Sequence, residues 1–495
     1  MKKKNVCNGL TFQDCELAIL RMAVDEVEEK VGRRIVNSDD VKKIIEVVEN
    51  FIKTENLICY GGTAINNILP SEEQFYNKDV EIPDYDFFSI NALEDAKKLA
   101  DIYFKQGFTD VEAKAGQHHG TYKVYVNYMP VADITHLDKE IYEALKKDSI
   151  HVAGILYASP NFLRMSMYLE LSRPIGDVSR WEKVLKRLTL LNNNYPLTGE
   201  NCNEVKFQRD MSSDKEEDII YDVVSKTLIN QGVVFFGGYA ISLYGKYMPK
   251  KSQPVIKNIA DFDVISNDPQ TTSEIIKERL TENNIKNIKI NKIEQIGEII
   301  PEHYEIKVGK DTIAFIYKTI ACHSYNVIKI DGQKVKIATI DTMLSFYLAF
   351  LYANKAYYNS FLDRTLCMSK FLFDVQQKNR LEQKGLLKRF SITCYGHQET
   401  IEEMRAEKAA KYKELKKTNN KKEMEEWFLN YQPDKTFKNG NDNNIKTKLN
   451  ARSKTTKNPK MKTTKKTKTN QKNPKYKSNN LLLKLYGKRT KKNLY

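Results

Sequence analysis

Apolar residues recur three and four apart from Thr11 to about Lys30, and again in "VKKIIEVVENFIKTEN" after Ser38-Asp39-Asp40. Both stretches predict amphipathic helices, with Thr11 and the Ser-Asp-Asp cluster as their caps. A short apolar run, Leu57 to Tyr60, predicts a strand. It breaks at Gly61-Gly62, and Thr63 to Leu69 restarts as a helix. A strand over Tyr85–Ile90 follows, then the helix "ALEDAKKLADIYFKQG". The alternation in "GTYKVYVNYMPVADITHL" predicts two strands, with Asp133 set among apolar residues near the end of the second. From Ser159 to Asn192 the period is helical.

The second half repeats this order. "NQGVVFFGGYAISLYG" matches "TENLICYGGTAINNIL", and "NIADFDVIS" matches "EIPDYDFFS". Gly237-Gly238 therefore answer Gly61-Gly62, and Asp261/Asp263 answer Asp84/Asp86. "IATIDTMLSFYLAFLY" matches "YASPNFLRMSMYLELS", and "FLDRTLCMSKFLFDV" is a looser match to "DVSRWEKVLKRLTLL". The offset between copies grows smoothly, as a long-period duplication requires. The expected fold class is α/β (α+β in detail): two tandem copies of one unit, a helical cap and a disordered basic C-terminal tail. The expected boundaries are a helical region at 1–55, a first unit at 56–197, a degenerate second unit at 198–400, a charged helix at 401–432 and a Lys-rich disordered tail at 433–495.

Charge sharpens this picture. The net charge is +16, and the excess lies in the tail: Ala451 to Tyr495 carries many Lys and Arg and no Asp or Glu. A tail of this kind attracts polyanions, nucleic acid first. No apolar run reaches the roughly 18 residues of a membrane span, and none follows the basic start as a secretory signal requires. The seven cysteines show no CxxC pair and no zinc spacing. They are expected to be free thiols in a reducing compartment.

The candidate chemistry lies between the glycine pair and the aspartates. Side chains two apart on a strand share a face, so Asp84 and Asp86 point together while Tyr85 and Phe87 enter the core. Paired carboxylates repel unless a cation lies between them, and hard oxygen ligands suit Mg²⁺ or Mn²⁺. Asp133 from a neighbouring strand would complete a site for two ions, the arrangement for in-line phosphoryl transfer. It is preferred over Asp138, which sits in "HLDKE" at a helix start. Gly61 and Gly62 let backbone approach a phosphate, the helix from Thr63 aims free N–H groups at it, and the Thr63 hydroxyl adds a hydrogen bond. Arg180, Lys183 and Arg187, with Lys186 beside them, form a basic helix face that suits triphosphate, RNA backbone or plain solvent. His118-His119 reads as a surface turn.

The order apolar-Gly-Gly-[Ser/Thr], Asp-x-Asp and a third acid resembles the polymerase β-type nucleotidyltransferase superfamily. More closely, "YGGTAINNILP … DYDFFS … VYVNYMPVADITHLD" resembles the catalytic subunit of viral poly(A) polymerases of poxvirus and giant-virus (mimivirus) type. The resemblance is strong over Thr11 to Leu190 and extends through the repeat to about Cys394, not into the tail. It implies template-independent addition of AMP from ATP to RNA 3′ ends, with Asp84, Asp86 and Asp133 holding two Mg²⁺ or Mn²⁺ ions and Gly61, Gly62 and Thr63 holding the triphosphate. It implies RNA 3′ ends as partner, with a homodimer or a processivity subunit as further partners, and action in the host cytoplasm or virion. A terminal uridylyltransferase or other nucleotidyltransferase, and a non-catalytic RNA-binding subunit, are the alternatives. In the second copy Tyr239 replaces the threonine and Phe315 or Ile316 falls opposite Asp133, so that copy is expected to be catalytically dead.

Overall fold

The computed structural model describes residues 7–209, 211 and 216–433. The expectations for the Lys-rich tail lie almost wholly outside these residues. Helix α1 (Phe12–Val36) is capped by the Thr11 side chain, and α2 (Asp39–Glu55) by that of Ser38. The inner face of α2 buries Ile44, Val48, Phe51 and Ile52. α1 differs from its amphipathic expectation: Phe12, Leu17, Leu20 and Val27 stay exposed, and Gly32 is its one buried residue.

The first unit then runs β1 (Ile58–Tyr60), α3 (Gly61–Ile68), β2 (Tyr85–Ser89), α4 (Ala92–Lys105), β3 (Val111–Ala115), β4 (Thr121–Val126), β5 (Met129–His136), α5 (Lys139–Lys147), β6 (Ile150–Val152), β7 (Ile155–Tyr157), α6 (Pro160–Leu171) and α7 (Trp181–Asn194). The second runs α8 (Glu217–Gln231), β8 (Val234–Phe236), α9 (Gly237–Gly245), β9 (Phe262–Ser266), α10 (Pro269–Glu282), β10 (Ile288–Ile293), β11 (His303–Val308), β12 (Asp311–Lys318), β13 (His323–Ile330), β14 (Gln333–Ala338), α11 (Ile340–Phe350), α12 (Ala356–Asn359) and α13 (Leu362–Lys378). β15 (Cys394–Tyr395), α14 (Ile401–Thr418), α15 (Lys421–Phe428) and β16 (Asn430–Tyr431) complete the described chain.

The strand orders are β16-β3-β4-β5-β2-β1-β7-β6 and β10-β11-β12-β9-β8-β14-β13-β15. Seven strands of each repeat one topology, β3-β4-β5-β2-β1-β7-β6 and β10-β11-β12-β9-β8-β14-β13, with β16 added beyond β3 in the first sheet and β15 beyond β13 in the second. In each, the strand before the glycine turn pairs antiparallel with the Asp-x-Asp strand, which pairs parallel with the strand expected to carry the third acid. The equivalent helices α6 and α11 pack against each other and join the two units. There Phe162 meets Tyr352 edge-on at 5.1 Å, and the Ser159 and Tyr352 hydroxyls hydrogen-bond.

Two further features depart from expectation. The charged helix is broken: Asn419 turns left-handed (φ 52°), Asn420 caps α15, and the chain returns to pair β16 with the outer edge of β3. Asn tolerates that conformation better than most residues, and burial of Leu415 and Leu429 holds the return. It covers an otherwise open strand edge.

The cysteines are the second. Six of the seven pair, as Cys7–Cys15, Cys202–Cys367 and Cys322–Cys394, and Cys59 stays a buried thiol. Sequence separations of 72 and 165 residues hid partners that tertiary folding brings together. Closing so long a loop restricts the unfolded chain, so Cys202→Ser is expected to lower stability by about 2–5 kcal/mol. Thermal melting with and without dithiothreitol checks this: the reductant should lower the wild-type midpoint more than the variant's.

Candidate active site

Four strands place one row of side chains across a single face of the first sheet. β2 pairs with β5 so that Asp86 stands opposite Asp133. β1 sets Tyr60 opposite Asp86, and β4 sets Lys123 opposite Asp133. The row therefore reads Lys123, Asp133, Asp86, Tyr60, and neighbouring strands lie about 4.8 Å apart. Asp84, two residues before Asp86, joins the same face. The structure thus brings the three predicted carboxylates together. Asp138 is elsewhere, capping α5 through a bond from the Glu140 amide (2.9 Å).

The glycine turn closes one side. Gly61 has φ +72°, and a Cβ there would lie 2.6 Å from Asp86 Oδ2. A side chain at Gly61 would thus clash with the carboxylate that the turn faces. A Cβ on Gly62 would meet the Tyr76 hydroxyl and lie 2.8 Å from Arg187 Nη1. Thr63 is buried, and its hydroxyl donates to the Asp84 carbonyl (2.6 Å). That bond ties the helix start to the Asp-x-Asp strand, so the hydroxyl is engaged in an anchor.

The electrostatics follow from burial. Desolvation raises the Asp86 carboxyl well above its ordinary range, and Asp84 and Asp133 push it further; Lys123 and Arg180 oppose them. Asp84 is raised by burial and by Asp133. Burial pulls the Lys123 ammonium down, but its hydrogen bond to Asp133 and that residue's charge raise it overall. Lys123 escaped the sequence reading, although the alternation of "TYKVYV" puts it on the face of β4 that fronts β5. Among the described residues no three His, Cys, Asp or Glu side chains form a preformed metal cage. The donor set nevertheless fits a hard divalent cation: three carboxylate residues on one face, with Asp84 and Asp86 raised by desolvation and then by like charge, which a cation relieves. His118 and His119 are exposed in the β3–β4 loop, where His119 packs on Trp427 at 4.3 Å.

The second copy keeps the frame and changes its contents. Gly237 has φ +70° against Asp263. Opposite Asp263 stands Phe315, the position of Asp133, and opposite Phe315 stands Glu305, the position of Lys123. Between the aspartates lies Arg209, from the segment joining the two units. Its guanidinium pairs with Asp261 and with Asp263 (3.3 Å) and sits 4.8 Å from the Phe315 ring. Its backbone N–H donates to Asp261 Oδ2 (3.0 Å). The same segment is tied to α13 by Cys202–Cys367.

Two predictions follow from these charges. Asp86 has a raised folded pKa, so the folded state holds its proton more tightly than the unfolded chain, whose value is about 3.9. That contribution is present below about pH 4 and is lost as pH rises through the folded value. Asp86→Asn removes the loss, and in EDTA at pH 7 the variant should melt above wild type. Melting curves against pH test this; a variant that melts below wild type at pH 7 would refute the unrelieved repulsion. Arg209→Ala leaves two buried carboxylates unpaired, and urea unfolding should show a loss of about 3–5 kcal/mol.

Comparison with known proteins accords with this geometry. A family model described as "Poly(A) polymerase catalytic subunit" matches residues 46–177, which contain the glycine turn and all three aspartates. A protein of Acanthamoeba polyphaga mimivirus, named "Putative poly(A) polymerase catalytic subunit", is 29% identical over 160 residues, 32% of this chain and 27% of its own length. African swine fever virus proteins of the same name are 30% identical over 171 residues, 33% of this chain and 36% of theirs. The matched region thus spans about a third of these relatives. A solved structure, the Megavirus polyadenylate synthase, superposes with a TM-score of 0.71 over 89% of this chain and 90% of that one, at 20% identity, and shares the fold. Over residues 46–177 the chain is thus similar to viral poly(A) polymerase catalytic subunits.

Proposed function

We propose that the protein is a nucleotidyltransferase that adds AMP from ATP to RNA 3′ ends without a template. The observation that carries this reading is the half-buried row Asp86–Asp133 beside the Gly61-Gly62 turn, within the region the family model matches. In the reaction the 3′-hydroxyl of the RNA attacks the α-phosphate of ATP and pyrophosphate leaves. Asp84, Asp86 and Asp133 would hold two Mg²⁺ or Mn²⁺ ions, which supply activation of the attacking oxygen and neutralisation of the leaving group. The chain's own residues do the rest. The unpaired N–H groups at the start of α3 face the triphosphate, and Gly61 and Gly62 leave room for it. Thr63, through the Asp84 carbonyl, keeps that helix start in register with the carboxylates. Lys123 is the internal counter-charge that shares Asp133 with a bound cation.

The second unit serves as structure. Phe315 has no carboxylate to offer, and Arg209 supplies the positive charge a metal would bring. The Lys-rich tail suits sequence-independent contact with RNA phosphates. The viral relatives fit action in an infected cell's cytoplasm or in a virion.

Primer extension tests the proposal, with a labelled short RNA, Mg²⁺ or Mn²⁺ and each NTP separately. A long ladder with ATP, reduced at least about a thousandfold in Asp84→Ala/Asp86→Ala, is the expected result. Extension with UTP instead would assign a uridylyltransferase. Activity that survives loss of the aspartates would overturn the site.

A further inference from the structure

The two sheets end differently on the side beyond Lys123 and Glu305. In the first unit the edge strand of the duplicated frame is β3, and the chain covers it with its own α15 and β16. Four contacts make this seal. Asn430 and Tyr431 pair with Lys114 and Ala113 of β3. Lys97 on α4 pairs with Glu425 on α15 at 2.6 Å. The Tyr122 hydroxyl on β4 donates to the Glu426 carbonyl at 3.0 Å. The Tyr431 hydroxyl donates to Asp101 Oδ1 on α4 at 2.6 Å. Ala113 is wholly buried as a result.

In the second unit the corresponding edge is β10, and among the described residues no strand pairs with its outer side. Beside it, between α10 and the β10–β11 pair, runs a groove of about 920 Å³. The equivalence of the two places holds residue by residue. α4 and α10 have the same length, and their starts are tied alike, Ser89 to Asp95 and Ser266 to Thr272. Leu99 and Tyr103 answer Ile276 and Leu280, all buried. Glu274 therefore stands at the place of Lys97, and Glu278 at the place of Asp101. Strand pairing sets Tyr304 at the place of Tyr122 and Ile290 at the place of Ala113. All four of these second-unit residues line the groove.

The second unit thus carries the receptor half of the seal. It keeps the strand edge, the phenol and the carboxylate that accepts a donor. One feature is reversed in charge, Lys97 to Glu274. Glu282 lies one turn beyond Glu278 and lines the same groove, so α10 presents three carboxylates along it. An unpaired edge is a template for another strand. Lys289 is exposed on β10, a charge that discourages indiscriminate pairing and leaves the edge to a matched insert.

We propose that this groove is a docking site for a partner protein, which inserts a short helix followed by a strand. The strand pairs antiparallel with β10, the mode in which backbone bonds give affinity and side chains give selectivity. The helix sets a Lys or Arg against Glu274 and a backbone carbonyl against the Tyr304 hydroxyl. A hydroxyl or basic side chain on the strand meets Glu278. Charge selects this occupant over a second copy of the chain. The chain's own insert brings Glu425 to the position that faces Glu274, and it is already engaged at β3. The docking site is independent of the reaction proposed for the first unit.

The test uses the full chain and two fluorescently labelled peptides of residues 420–431, one unchanged and one carrying Glu425→Lys, with binding read by anisotropy. The wild type should bind the Glu425→Lys peptide about threefold to tenfold more tightly than the unchanged one. The Glu274→Lys protein should reverse that order, and Glu274 is exposed, so the change leaves the fold intact. Tyr304→Phe should weaken both peptides by about threefold to tenfold. Hydrogen exchange at the β10 amides that do not bond to β11 should slow when the Glu425→Lys peptide binds. No binding of either peptide, a preference that does not follow the charge at position 274, or β10 exchange unchanged by the bound peptide would overturn the docking site. Outer β10 amides already protected in the wild type alone would show the groove filled by the chain itself or by a second copy, and would overturn a partner protein as its occupant.

Discussion

Two half-buried carboxylates side by side on neighbouring parallel strands repel when both are ionised unless positive charge lies beside them, and much of this molecule answers to that constraint. The register that sets Asp86 against Asp133 is imposed by the hydrophobic alternation of β2 and β5, whose other faces fill the core with Phe87 and Ile134. Slipping either strand by one residue would bury the acids and expose the core. The sheet therefore enforces an electrostatic cost that a cation must offset. In the first unit the internal cation is Lys123, about a third exposed, on a flexible stem. In the second it is Arg209, held by two carboxylates, its own amide and an aromatic face.

That contrast separates a site that can exchange its cation from one that cannot. Lys123 meets one carboxylate and leaves Asp84 and Asp86 unsatisfied, which is a standing demand for further positive charge. Arg209 pairs with both aspartates of its copy, and the segment that carries it is stapled to α13 through Cys202–Cys367. Cys367 occupies the position of Lys183 in the first unit, so the joining segment fills both ends of what would be the second cleft. The duplication thus left one unit with its carboxylate row open and one whose aspartates secure the joining segment.

Much of this was legible in the chain. The order of elements, the caps at Thr11 and Ser38, the turn at Gly61-Gly62, the role of Asp138 as a cap and the duplication itself all follow from local pattern: periodicity, capping residues and glycine positions act over a few residues and leave their mark in sequence. The position opposite Asp133 could be narrowed to Phe315 or Ile316, and pairing between β9 and β12 selects Phe315. Other features escaped. Lys123 looked like any outward residue of an alternating strand until β4 was set beside β5. Arg209 lies in a joining segment without a motif. The disulfides join residues too distant in sequence for spacing to signal, and the reading of free thiols failed for that reason. The break at Asn419-Asn420 was marked by residue type, but the return of β16 to β3 was not.

Sequence by itself determined most of the strands and helices around the candidate site, that the unit occurs twice, and which carboxylates and glycines are the candidates, because each of these depends on neighbours within a turn or a strand. Tertiary structure decided which charges meet. Lys123 with Asp133, Arg209 with Asp261 and Asp263, and Arg187 with Tyr76 are pairs between separate elements, and their energies depend on burial and on distances that exist only once the sheets have assembled.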